Sequence, residues 1–320
     1  MPAKIPIHII TGFLGSGKTT FLKELLSDKK EANIAVVVNE LGAISLDDTL
    51  IQTEFVKEKT IMLDAGCMCC NKREDLSIKF KELLNKYDQN NQKLERILIE
   101  TTGIANPAPI IFTFLSDVFL SNHFEIANII TCIDALSGLS HIQNNQEAHN
   151  QIISSDCILL TKTDLNPDVS ALKTKIDSIH RGIDFIDKKD FNFNQLINVK
   201  NQNLNFTYDK TSRTQSHTSD IDSLCLCFEE ALDWSIFSIW LSMLLHRYGK
   251  QILRVKGLLD VGEDYLVNLN GVGHLIYPTS HIKTQAKGSK LVIIAKGLNL
   301  SQVGKSLETF LQLSGRYAQF

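Results

Sequence analysis

The stretch Thr11-Gly12-Phe13-Leu14-Gly15-Ser16-Gly17-Lys18-Thr19-Thr20 decides the fold. It follows an apolar run from Ile5 to Ile10, interrupted by Pro6 and His8. It precedes Phe21-Leu22-Lys23-Glu24-Leu25-Leu26, where apolar residues recur at helical spacing. The pattern predicts a strand, a glycine-rich turn and a helix. Gly12, Gly17, Lys18 and Thr19 satisfy G-x-x-x-x-G-K-[ST], the phosphate loop. Glycines let backbone N–H groups close around phosphates, and the helix N-terminus adds the positive end of its dipole. Gly12, Gly15, Ser16, Gly17, Lys18, Thr19 and Thr20 are therefore candidate nucleotide contacts. Lys18 is expected to reach the β- and γ-phosphates, and the Thr19 hydroxyl to ligate Mg²⁺. A glycine-rich turn that binds nothing is the plainer alternative; all four fixed positions in a strand–turn–helix setting argue against it.

Outward from this loop, Ile34 to Val38 is a continuous β-branched run, the pattern of a parallel strand buried on both faces. Asn39-Glu40-Leu41-Gly42 ends it. The polar segment that follows stands where a phosphate-binding protein would carry a nucleotide-sensing switch; Asp47, Asp48 and Thr49 are candidate contacts or an ordinary solvated turn. Arg96-Ile97-Leu98-Ile99-Glu100 reads as a second buried strand with an acid at its end, followed by Thr101-Thr102-Gly103. Glu100 is placed to hold Mg²⁺ or its water shell, and the Gly103 N–H to meet a γ-phosphate. A third signature closes the strand Cys157 to Leu160: Thr161-Lys162-Thr163-Asp164. A carboxylate at Asp164 can accept both N1–H and N2–H of guanine, which adenine cannot offer, and Lys162 would lie along base and ribose. Thr161 stands where Asn is more usual.

Composition bounds the class. At 320 residues the chain has room for about two domains. A net charge of −3 argues against nucleic-acid binding through bulk electrostatics. No apolar run approaches the ~18 residues that suggest a membrane span. Met1-Pro2-Ala3-Lys4 leads straight into the first strand, so no export signal and a cytoplasmic location are expected. The expected fold is α/β: a P-loop domain over 1–200, its mostly parallel sheet flanked by helices, a polar linker over 201–221, and a smaller C-terminal α+β domain over 222–320. His141 and His149 read as surface histidines. Cys225 and Cys227 alternate along a strand and so face one side, where small core cysteines are the plainer reading.

Gly66-Cys67-Met68-Cys69-Cys70 is unusual. In a reducing compartment, thiols this dense suggest metal ligands. In an extended segment Cys67 and Cys69 point one way and Cys70 the other, so the pair can grip one soft cation. A four-coordinate Zn²⁺ needs two more ligands; Cys70, Glu40, His123, water or a client group are candidates. Buried small cysteines are the bland alternative, against which the neighbouring Gly66 and Lys72-Arg73-Glu74 suggest an accessible loop.

Gly12–Thr19, Asn39-Glu40, the Cys67–Cys70 segment, Glu100–Gly103 and Thr161–Asp164, in this order, resemble the CobW-type GTPase family. Leu253-Arg254-Val255-Lys256-Gly257 resembles part of its C-terminal domain. The resemblance covers almost the whole chain. It implies GTP hydrolysis to GDP coupled to binding of a transition metal, Zn²⁺ or in some members Co²⁺, and its delivery to a client metalloprotein. The chain departs from the family where Phe-Gly-Glu is common: Leu41-Gly42-Ala43 stands there, and Val38 stands where an acid often precedes Asn39. No catalytic Gln or arginine finger is evident, so intrinsic turnover is expected on the order of 10⁻⁴–10⁻² s⁻¹. A regulatory GTPase switch with a protein-binding C-terminal domain and structural or redox-sensing cysteines is the alternative; a P-loop kinase is a weaker one.

Overall fold

The computed structural model describes residues 4–27, 33–39, 60–63, 73–90, 93–193, 196, 221–284 and 286–312. The chain divides into two compact units, Met1–Asp177 with Gly182–Asn205, and Ser178–Arg181 with Phe206–Phe320. The expected linker over 201–221 lies, except for Ile221, outside the described residues. No described helix is long and apolar enough to cross a membrane.

The first unit is built on a seven-stranded, wholly parallel sheet. Its strands are β1 (Ile5–Thr11), β2 (Ile34–Asn39), β3 (Thr60–Leu63), β4 (Arg96–Glu100), β5 (Phe124–Asp134), β6 (Cys157–Thr161) and β7 (Asp184–Asp187), in the spatial order β3-β2-β4-β1-β5-β6-β7. Helices α1 (Lys18–Ser27), α2 (Arg73–Gln89), α3 (Ala108–Ser116), α4 (Val118–His123), α5 (Gly138–Asn144), α6 (Gln146–Ser154) and α7 (Ser170–Ile179) occur between strands. Continuous apolar runs suit strands covered on both faces, and Ile97, Leu98 and Ile99 of β4 and Ile158 and Leu159 of β6 are fully buried. Phe21, Leu22, Leu25 and Leu26 of α1 join the same core as Ile10, Val36 and Leu98.

The two interruptions of the β1 run have separate causes. Pro6 lies beside a register shift between β1 and β5 at Ile7/His8, and irregular pairing tolerates a residue without an N–H. His8 is buried but satisfied. Asn128 uses its Nδ2 on the Leu196 carbonyl (2.7 Å), so its Oδ1 accepts from His8 Nδ1 (2.9 Å), and His8 Nε2 is left to accept from Arg96 (3.2 Å). That assignment makes the imidazole neutral.

The apolar stretch that follows Asn106–Pro109 and runs to Leu120 forms two helices. The Asp117 backbone is extended, and its side chain accepts from the Leu120 N–H to begin α4. An Asp offering this cap competes with helix continuation.

The second unit is a mixed α+β layer pair. Strands β8 (Ile221–Phe228), β9 (Ile252–Asp260), β10 (Tyr265–Val272), β11 (Leu275–Ile276), β12 (Ser280–Lys283) and β13 (Ser289–Lys296) form an antiparallel sheet ordered β11-β10-β9-β13-β8, with β12 on β10. The stretch Tyr265–Tyr277 folds as a β10–β11 hairpin, turned at Gly273 with φ +61°. Helices α8 (Trp234–Tyr248) and α9 (Leu300–Gln312) pack into the same core: Phe237, Trp240, Leu241 and Leu244 from one, and Val303, Leu307 and Leu311 from the other. Asp233 caps α8 by accepting from Ser235 and Ile236 N–H groups.

Candidate functional site

β1 and β4 are neighbours whose chains leave in opposite directions, β1 toward β2 and β4 toward β5. In open parallel sheets such a reversal opens a crevice at the strands' carboxyl ends. The glycine-rich turn occupies that position. Gly12 has φ +140°, and a Cβ there would strike the Cys132 carbonyl of β5, so only glycine fits. Gly15 and Gly17 also have positive φ, +73° and +84°.

Lys18, 8% exposed, folds back over the turn and donates to the carbonyls of Gly12 (2.9 Å) and Phe13 (3.2 Å). Burial pushes its pKa below the ordinary lysine value, opposed by nearby Cys132 and Glu100. The Cys132 thiol is itself pushed up to about 12 by burial. Thr19 Oγ1 donates to Glu100 Oε1 at 2.6 Å, which joins the start of α1 to the end of β4. Ser16 Oγ, at the base of the turn, is buried with no hydrogen-bond partner among the described residues. Gly103 lies so close beneath Leu14 that a Cβ would come within 2.7 Å of the Leu14 nitrogen.

The loop after β6 closes the other side. Thr161, in the place of the more usual Asn, keeps a donor to the turn: its Oγ1 gives a hydrogen bond to the Ser16 carbonyl at 2.8 Å. Lys162 adopts φ +56°, uncommon for a residue with a side chain. Its carbonyl accepts from the N–H groups of Leu165 and Asn166, and its Nζ donates to the Gly15 carbonyl at 2.9 Å. Asp164 is exposed at the tip of this turn. The structure thus brings Gly12–Thr20, Glu100, Gly103 and Thr161–Asp164 to one edge of the sheet. Cys67, Cys69, Cys70, Glu40, Asp47, Asp48 and Thr49 lie outside the described residues. Among those described, no group of three or more His, Cys, Asp or Glu could hold a metal ion. His123 donates through Nδ1 to the Phe119 carbonyl (2.9 Å) and lies tilted against the Phe119 ring. His141 packs on Phe13 at 4.7 Å, and half-buried His149 reaches the Ile142 carbonyl through Nε2, so neither is a bare surface histidine.

Two positioning residues escape motif reading. Gln151 of α6, 1% exposed, donates through Nε2 to the carbonyls of both Gly103 (3.0 Å) and Ala105 (3.1 Å), holding the loop after β4. Asp134, ending β5, accepts from Leu136 N–H, Ser137 N–H and Ser137 Oγ, and pairs with Lys162 at 3.4 Å. Burial raises the Asp134 pKa, but the Ser137 hydrogen bonds and the Lys162 charge together hold it below the usual carboxylate range. The Gln151 side chain donates only to distant backbone carbonyls, and Asp134 contacts the nearby Ser137 and the distant Lys162. An acid at the end of a strand followed by Ser is the only trace either leaves.

Residues 6–187 match the family model described as "CobW/HypB/UreG, nucleotide-binding domain", and residues 221–311 match that of the cobalamin synthesis protein cobW C-terminal domain. The chain is 31% identical to the zinc chaperone YjiA of Escherichia coli over 85% of its own length and 87% of that protein. It is 36% identical to the zinc-regulated GTPase metalloprotein activator 1 of Schizosaccharomyces pombe, over 50% of this chain and 39% of that protein. The solved structure of Zn(II)-bound YjiA GTPase from E. coli superposes with a TM-score of 0.73 at 27% identity, covering 97% of this chain and 99% of that one.

Two outcomes follow from these contacts. Gln151→Met removes the donor to two loop carbonyls and should lower unfolding stability by about 1–3 kcal/mol; urea denaturation checks it, and an unchanged midpoint would remove the assigned role. Because Asp134 has a lowered folded pKa, its contribution is present above the ordinary Asp value of about 3.9 and is lost as pH falls through the folded value. The stability margin of the native chain over Asp134→Asn should be constant above about pH 5 and shrink below about pH 4, measured by denaturation across that range.

Proposed function

The chain belongs to the CobW/HypB/UreG family, and from that premise we propose that it hydrolyses GTP to GDP and couples the cycle to carrying a transition metal, zinc in the first instance, to a client protein. The observation that carries the nucleotide reading is the convergence of Lys18, Thr19, Glu100 and Gly103 at the crevice between β1 and β4. A buried ammonium surrounded by carbonyls gains when a phosphate anion replaces them, because the anion offsets the cost of burying the charge. The unpartnered Ser16 hydroxyl and the positive-φ glycines fit a cradle for phosphate oxygens. Thr19 and Glu100 fit Mg²⁺, a hydroxyl and a carboxylate 2.6 Å apart being hard oxygen donors on one spot. Mg²⁺ held by Thr19 and Glu100 would neutralise the charge that develops on the transferred phosphoryl group.

Guanine selection is assigned to Asp164, with Lys162 fixed beneath the base by its bond to Gly15 and by the Asp134 ion pair. Thr161 holds that turn to the phosphate loop. Gln151 keeps the Gly103 backbone at the γ-phosphate position. The chain's own part in hydrolysis is therefore to bind and orient GTP, with turnover slow in isolation.

The metal reading is supported by the Cys67-x-Cys69-Cys70 motif and by what the relatives' names say of zinc. Leu63 of β3 pairs with Asn39 of β2, and Val38 of β2 pairs with Glu100 of β4. Cys67 follows Leu63 closely in the chain. Any bias of metal and γ-phosphate on each other must be reciprocal.

Titration of Zn²⁺ with and without a non-hydrolysable GTP analogue tests the coupling. The two ligands should change each other's affinity by one common factor, and Cys67→Ala with Cys69→Ala should abolish tight Zn²⁺ binding while GTP binding persists. Independence of the two ligands would favour a switch whose thiols serve another purpose. In parallel, Asp164→Asn should lose the preference for GTP over ATP in competition binding; retained discrimination would sink the guanine assignment.

A further inference from the structure

Cys225 and Cys227 do not lie in the core of the second unit. On β8 it is Leu224 and Leu226 that pack toward the helices, beside Gly304 of α9. Successive side chains of a strand alternate, so both cysteines stand on the opposite face. Cys227 is exposed and Cys225 is half-buried, and both are free thiols. β8 is the last strand of its sheet among the described strands, with β13 on one side only. Each cysteine is held in register: Cys225 opposite Val292 and Cys227 opposite Lys290.

We infer that Cys225 and Cys227 form a second, two-thiolate site for a soft d¹⁰ cation such as Zn²⁺, on the strand that ends the C-terminal sheet among the described strands. The geometry distinguishes chelation from a disulfide. Two residues along a strand separate Cα atoms by about 6.7 Å, near the upper end of the ~4.4–6.8 Å that a disulfide spans. Closing that bond would shorten β8 and pull Cys225 and Cys227 off Val292 and Lys290. Two Zn–S bonds of ~2.3 Å at a tetrahedral angle instead set the sulfurs about 3.8 Å apart. Side chains two residues apart on one strand face can rotate to that spacing, and the ladder stays intact. Two ligands leave two coordination positions open, so the site suits an ion in passage, the remaining ligands coming from solvent or from a receiving protein. Lys290, opposite Cys227 on β13, places a positive charge beside the thiols. The inference does not rest on the cargo reading of Cys67, Cys69 and Cys70, with which it shares no residue.

The test uses Cd²⁺ as a spectroscopic probe for the thiolate site. In the full chain carrying Cys67→Ala, Cys69→Ala and Cys70→Ala, the remaining thiols are Cys132 and Cys157, both buried, and the β8 pair. One equivalent of Cd²⁺ should then give a sulfur-to-cadmium charge-transfer band in the ultraviolet. Adding Cys225→Ser and Cys227→Ser should abolish it, with far-UV circular dichroism unchanged. A band that survives those serines, or no band before them, overturns the site. The unsubstituted chain gives an independent reading: Zn²⁺ should protect the peptide bearing Cys225 and Cys227 from N-ethylmaleimide, followed by mass spectrometry. Undiminished alkylation at saturating Zn²⁺ overturns the inference even where the variants fail to fold.

Discussion

Gly12 sits where no side chain can. With φ at +140° and the Cys132 carbonyl directly behind it, the residue pins the turn after β1 against β5. The rest of the site is arranged around that contact. Because the turn is pressed onto β5, the Ser16 and Gly15 carbonyls face the loop after β6, where Thr161 and Lys162 donate to them. On the other flank Leu14 closes over Gly103 with no space for a Cβ. Three loops from β1, β4 and β6 are thereby locked together through backbone atoms, and substitutions at the glycines would disturb all three at once.

The electrostatics follow from the same packing. Lys18 is buried by the turn it crosses, and burial lowers its affinity for its proton. Two carbonyls and the charge on Glu100 keep the ammonium in place. Removing an ion from water costs several kcal/mol unless partners compensate, so a site of this kind holds a cation whose best partner is an incoming anion. Glu100 is likewise buried at 5% exposure beside Thr19. A cation and an anion, each only partly compensated, fit a ligand that brings phosphates and a divalent metal together.

The parts of this arrangement legible in the sequence were those whose chemistry is local. Gly12 to Thr19 needs a fixed spacing because one turn must wrap one phosphate chain, and the strands β4 and β6 announce themselves by apolar runs ending in Glu100 and Thr161. Gln151 and Asp134 were not legible. Gln151 works by meeting carbonyls 46 and 48 residues away, and carbonyls carry no residue identity to read. The helix break at Asp117 is not legible because apolar residues continue past it, while a cap depends on one side chain choosing a backbone N–H. For Cys225 and Cys227 period-two alternation told that they share a face, but not which face. That was decided by α9 packing on Leu224 and Leu226.

The ladder from β3 through β2 to β4 also constrains how any coupling can operate. Glu100 is paired to Ile10 on one side and to Val38 on the other, and Asn39 to Leu63 beyond that. Ile9, Ile10, Ile97, Leu98 and Ile99 have no exposed surface, and such close-packed interiors have low compressibility. A strand cannot slip in this sheet without moving its side chains to the wrong face. The sheet is therefore suited to fixing the distance between the nucleotide edge and the end of β3 at Leu63. On the proposed cycle, the change between nucleotide states belongs to the connections at the strands' carboxyl ends. Coupling there has to be read as an energy between two bound ligands, because a rigid ladder supplies proximity and no displacement.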